Sequence, residues 1–170
     1  MRNLTLRISI MTFIILVAFY VIELIYFYPQ LGENVITHID ISGNPDGWMS
    51  KDSAYIVFGF LLIILTAVFS GIYYIIPGFS EDMISIPNKE YWLKPERKEY
   101  SLNLIRSMIL NIGSLTFALM IFVNYHLFTL NIYKNVKLND YLLAAVIIYL
   151  ILLLLIILPV IIKFSAKSGS

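Results

Sequence analysis

The sequence predicts an all-α integral membrane protein built on four transmembrane helices. Of its 170 residues, 59% are hydrophobic and only 14% are charged, whereas a soluble domain has about 45–50% and about 25%. The mean hydropathy is +0.83. Apolar surface in that excess has no place in water, so a bilayer is the natural solvent. The apolar residues fall into four runs, Leu6–Tyr28, Ala54–Ile76, Leu104–Leu130 and Tyr141–Ile162. Each reaches the ~20 residues that a helix needs to cross a hydrocarbon core of roughly 30 Å. A soluble core helix can also be apolar all round, but four such runs leave too little polar sequence to cover them. The length fits one domain, residues 1–170. The chain has no cysteine, which excludes disulfides, thiol catalysis and Cys-ligated zinc. A net charge of +1 offers no field that would draw in nucleic acid.

Each element has a local cause. No small-residue cleavage site closely follows the first run, which therefore reads as a retained helix rather than a signal peptide. Pro29 ends it, because the residue before a proline is pushed out of the α region. Residues 29–52, PQLGENVITHIDISGNPDGWMSKD, form a polar island between two apolar runs. Its Ser42-Gly43-Asn44-Pro45-Asp46-Gly47 stretch is a dense turn signal, with Gly43 and Gly47 able to take positive φ. This predicts an ordered loop folded back over the bundle mouth. His38, Asp40, Asn44, Asp46, Trp48 and Lys51 are its recognition candidates. In an extended segment His38 and Asp40 point the same way. The Trp48 ring is expected to wedge against the bundle mouth, and Asp40 or Asp46 to hold Lys51.

Asp52 or Ser53 can cap the second helix, Pro77-Gly78 ends it, and Ala67 and Gly71 are its small contact residues. In the middle loop, 77–103, Tyr91, Trp92 and Leu93 can lie in the membrane interface. Lys89, Lys94, Arg97 and Lys98 then reach anionic headgroups. Pro95 starts a short helix whose first turn carries Glu96. Lys89, Tyr91, Trp92, Glu96 and Arg97 are therefore an interface patch, with a cytoplasmic partner protein as the alternative to lipid. Ser107, Asn111, Ser114 and Ala118 share one stripe of the third helix. They read as a packing seam with an interhelical hydrogen bond at Asn111, or as the wall of a substrate path. Asp140 can cap the fourth helix, and Pro159 kinks it or ends its regular part.

Lys and Arg set the expected orientation. Arg2, Arg7, Lys89, Lys94, Arg97, Lys98, Arg106, Lys163 and Lys167 fall on one side, and Lys51, Lys134 and Lys137 on the other, nine against three. The positive-inside rule puts both termini and the middle loop in the cytoplasm. Ionisable residues inside a span are expensive and point to function, which singles out Glu23 and His126 beside Asn111. Glu23, His38, Asp40 and His126 could converge on a divalent metal such as zinc, which takes three or four ligands, or Glu23 could pair with His126 or Lys51. No GxSxG, HExxH or phosphate-cradling glycine loop is present, so an enzyme is not expected.

Tyr28, Pro29, His38, Gly43, Pro45, Asp46, Trp48 and Lys51, together with Ile86-Pro87-Asn88-Lys89-Glu90-Tyr91-Trp92-Leu93 and Pro95-Glu96-Arg97, carry a resemblance. The chain resembles stand-alone members of the bacterial domain-of-unknown-function family found at the start of SdpI-type immunity proteins. Members often have proline at Gly32 and Ile36, and asparagine at Asp40. The resemblance implies a non-enzymatic protein of the bacterial inner membrane, immunity- or sensor-like, that recognises a peptide, toxin or envelope ligand through its outer loop. The alternative from the residues is a small metal- or proton-linked membrane protein.

Overall fold

In lipid a backbone must satisfy its own hydrogen bonds, and each apolar run becomes one long helix. The computed structural model describes residues 2–40, 44–134 and 139–166. The expected turn at Ser42-Gly43 and the Asp140 cap side chain lie outside the described parts. The elements are α1 (Arg2–Phe27), β1 (Asn34–Ile39), β2 (Pro45–Ser50), α2 (Lys51–Ile75), α3 (Lys89–Trp92), α4 (Pro95–Tyr133) and α5 (Asn139–Ser165). Among the described residues, four helices (α1, α2, α4 and α5) are long and apolar enough to cross a membrane. The chain is thus a helical, multi-pass membrane protein in its dimensions and composition.

Boundaries follow local chemistry, with corrections. α1 gives way to a 3-10 turn at Tyr28–Gln30, as Pro29 requires. α2 closes in another at Ile76–Gly78. The cap of α2 is neither Asp52 nor Ser53: Ser50 accepts from the Ser53 N–H at 3.3 Å. Asp52 instead accepts from the Tyr28 hydroxyl at 2.8 Å. Pro95 does start a helix, but not a short one. It is the first residue of the 39-residue α4, which continues without a break into the third span. α5 runs through Pro159 to Ser165, so that proline does not end it.

The core is a seam between α1 and α4, with α2 packed against it through Tyr55, Phe58, Leu62, Leu65, Phe69 and Tyr73. Phe13, Tyr20, Leu24 and Phe27 of α1 meet Leu110, Phe117, Leu127 and Phe128 of α4, all buried. α2 fully buries only Ala54 and Phe58, both within its first eight residues. Gly113 is tightly enclosed by its neighbours: an added Cβ would sit 2.7 Å from Phe69 Cγ and 2.8 Å from Phe13 Cε2. The expected small-residue seam holds in part: Ser107 and Ser114 of α4 are buried, but two other members are not packed between helices. Ala118 lines a groove against α5, and a Cβ at Gly71 would meet nothing within 4 Å. Bonds between long helices come from Tyr20 to the Phe58 carbonyl, Arg106 to the Tyr73 carbonyl, and Thr116 with the Tyr149 hydroxyl. Asn111 is half-buried and makes no such bond among the described residues.

The middle loop also departs from expectation. Trp92 and Leu93 do not lie on a membrane surface; they are buried in the protein, 8% and 2% exposed. The Trp92 indole N–H donates to the Phe164 carbonyl at 3.0 Å, and the Asn88 amide donates to the same carbonyl and to that of Ser165. Two carbonyls that α5 leaves unpaired at its C-terminus are thereby satisfied. The expected patch is split: Arg97 stacks on Tyr91, Lys89 pairs loosely with Asp82, and Glu96 is exposed.

Candidate functional site

The polar loop, expected to be ordered, contains a two-stranded antiparallel hairpin. Asn34 faces Ser50, Val35 faces Met49 and Ile36 faces Trp48, and the register shifts on either side of His38. The β-branched Val35, Ile36, Thr37 and Ile39 suit a pleated strand, and Val35 is 2% exposed. Gly47 is required because a Cβ there would lie 2.9 Å from the His38 Cβ across the strands. The Lys51 N–H donates to the Glu33 carbonyl at 2.7 Å. In an antiparallel ladder this makes Ile36 and Trp48 a pair whose backbone groups point away from each other.

Those outward groups meet different fates. On the β1 side, Asn131 of α4 acts as a substitute strand. The Ile36 N–H donates to Asn131 Oδ1 at 2.7 Å, and Asn131 Nδ2 donates to the Ile36 carbonyl at 3.0 Å. On the β2 side, no described residue takes the Trp48 N–H or carbonyl, and the Trp48 side chain is 60% exposed beside exposed Met49. Trp48 therefore does not wedge into the bundle mouth.

The other candidates stabilise the hairpin. His38 Nδ1 pairs with Asp46 Oδ1, both on the surface. Asp40 accepts from the Asn44 N–H at 2.8 Å and the Asn44 amide at 3.3 Å, which closes the loop end. Lys51 is held by neither Asp40 nor Asp46. Its ammonium donates to the Leu31 carbonyl at 3.4 Å and lies 4.6 Å from the Tyr28 ring centre. Among the described residues no three His, Cys, Asp or Glu side chains come together to hold a metal, so Glu23, His38, Asp40 and His126 form no such centre. His126 bonds the Phe122 carbonyl of its own helix and turns its ring toward Tyr141 of α5.

Glu23 is buried, 9% exposed, within electrostatic reach of the Tyr20 and Tyr55 hydroxyls. Asn124, also buried, stands beside Tyr20. Above this polar layer lie Phe27, Phe58, Phe128 and the Tyr55 ring, which stacks on Phe128 at 5.9 Å. Below it Tyr20 meets Phe117 edge-on at 5.7 Å. Sequence reasoning missed Tyr20, Tyr55, Asn124 and Asn131. The available signal was spacing: Tyr20, Glu23 and Phe27 lie on one face of α1, and Asn124 and Asn131 on one face of α4.

Residues 13–65, from within α1 through the hairpin into α2, match the family described as Domain of unknown function (DUF1648). No curated protein and no solved structure matches the chain.

Proposed function

We propose that this is a non-enzymatic protein of the bacterial inner membrane, related to the membrane domain of SdpI-type immunity proteins. Its hairpin faces outward, and both termini lie in the cytoplasm. The free edge of β2 receives an extended segment of an extracytoplasmic peptide or toxin. One observation carries this reading: Trp48 offers an open N–H and carbonyl at a sheet edge, beside its own exposed ring and the exposed Met49 side chain. An open edge is a template for another strand. Main-chain bonds supply affinity, and flanking side chains supply selectivity. Asn131 occupies the opposite edge, so a visiting strand has one side to join.

The test uses a strain lacking the protein, screened for sensitivity to envelope-active peptides and toxins, then complemented. Trp48→Pro removes the outward N–H together with the ring and leaves the ladder to β1, as proline at an edge permits. Trp48→Ala removes the ring. Both are expected to restore resistance poorly at wild-type membrane abundance. Full protection by Trp48→Pro would rule out pairing at this edge.

A further inference from the structure

Among the described residues four buried side-chain polar atoms lack a hydrogen-bond partner, and three of them gather at one level: Glu23 Oε2, the Tyr55 hydroxyl and Asn124 Nδ2. They come from α1, α2 and α4. Glu23 and Asn124 are each more than nine-tenths buried. Unpaired polar groups are costly inside a bundle and rare unless something uses them. No lysine, arginine or histidine forms an ion pair with Glu23 among the described residues. The titratable groups facing it are Tyr20 of its own helix and Tyr55 of α2, while α4 brings the neutral Asn124 amide. This set contains oxygens and an amide, no imidazole and no second carboxylate, and it suits a proton carried by water better than a metal.

A route leads in from the hairpin side. Asp52 is exposed and accepts from the Tyr28 hydroxyl at 2.8 Å. The Tyr28 ring packs edge-on against Tyr55 at 4.8 Å. Tyr55 is the next hydroxyl inward, and Glu23 lies behind it. We propose that Glu23 is a proton-binding site that exchanges with water at the hairpin end through Asp52, Tyr28 and Tyr55. Each phenol gives one proton inward as it takes one from outside, so no charge is stranded; water bridges the steps longer than a direct bond. The site is independent of the sheet edge at Trp48.

Infrared difference spectroscopy of the full chain in lipid vesicles tests this. Wild type should show the C=O stretch of a protonated carboxyl, and transfer to heavy water should shift it. Glu23→Gln should abolish that band, whereas Glu33→Gln, in the exposed turn before β1, should keep it. Tyr55→Phe should keep the band but slow its shift on the order of 100-fold, the low end of what a positioned proton-transfer group contributes. A structural role for Tyr55 would leave the exchange rate unmoved. The proposal fails if wild type has no such band, if the band does not shift, if it survives in Glu23→Gln, or if Tyr55→Phe exchanges at the wild-type rate.

Discussion

Gly113→Ala, set against Gly71→Ala, isolates the packing of the bundle from helix-forming tendency. The new Cβ would lie 2.7 Å from Phe69 Cγ and 2.8 Å from Phe13 Cε2, whereas carbon atoms pack best at about 3.5–4.0 Å. Roughly 1 Å of overlap must be relieved. Phe69 Cγ is the root of its ring and cannot swing clear, and Phe13 is clamped edge-on between Phe69 and Phe117. Relief therefore means moving α2 or α1. Overpacking of this kind costs about 1–3 kcal/mol. Alanine returns up to about 1 kcal/mol, because glycine is a poor helix former. The net expectation is a loss of about 0–2 kcal/mol against wild type, and of about 1–3 kcal/mol against a helix glycine replaced in open space. Gly71→Ala is the matched control in α2: its Cβ meets nothing within 4 Å, so only the helix-forming gain remains. Reversible unfolding of the two variants in mixed detergent micelles, titrated with a denaturing detergent, gives the comparison. If Gly113→Ala is as stable as Gly71→Ala, the close approach of three helices at this residue is wrong.

Two further substitutions probe the ends of the bundle. Asn131→Ala strips the Ile36 N–H and carbonyl of their partners and should cost about 1–3 kcal/mol where those groups stay shielded; amide exchange at Ile36 should accelerate while exchange in α1 is unchanged. Trp92→Phe keeps an aromatic ring against Phe164 but deletes the indole bond to its carbonyl, a loss of roughly 1 kcal/mol, and should quicken proteolysis after Ile162 without affecting the hairpin; equal cleavage rates would mean that Asn88 alone holds the end of α5.

The long helices were legible because a hydrocarbon solvent leaves a chain few choices: runs of about 20 apolar residues become helices. Proline punctuation was equally readable at Pro29, Pro77 and Pro95. The hairpin was harder to see. The turn signal at 42–47 is strong, but a two-stranded ribbon is marginal by itself. It persists because Val35 and Leu31 pack into the core and Asn131 completes the β1 edge. That support comes from α4, 95 residues away in sequence, and no local pattern announces it. Trp92 misled for a related reason. An aromatic beside lysines is a common membrane-surface signature, yet the unpaired carbonyls at the end of α5 offered its N–H a partner that the local sequence does not contain.

The buried polar layer shows how far an intramembrane carboxylate can be read. Glu23 stood out because a carboxylate inside an apolar run is expensive. Its neighbours were misassigned by helix rotation. His126 lies at the right depth, but it is two residues beyond Asn124, and two residues turn a helix by roughly 200° at 3.6 residues per turn. Once Phe117 and Phe128 face α1, Asn124 must face inward with them, and His126 is carried round to Tyr141 and α5. The same rotation removes the imidazole from any metal set and leaves Glu23 among phenols and an amide. Depth was therefore decided by composition, whereas partnership was decided by which face each helix had already committed to its aromatic core.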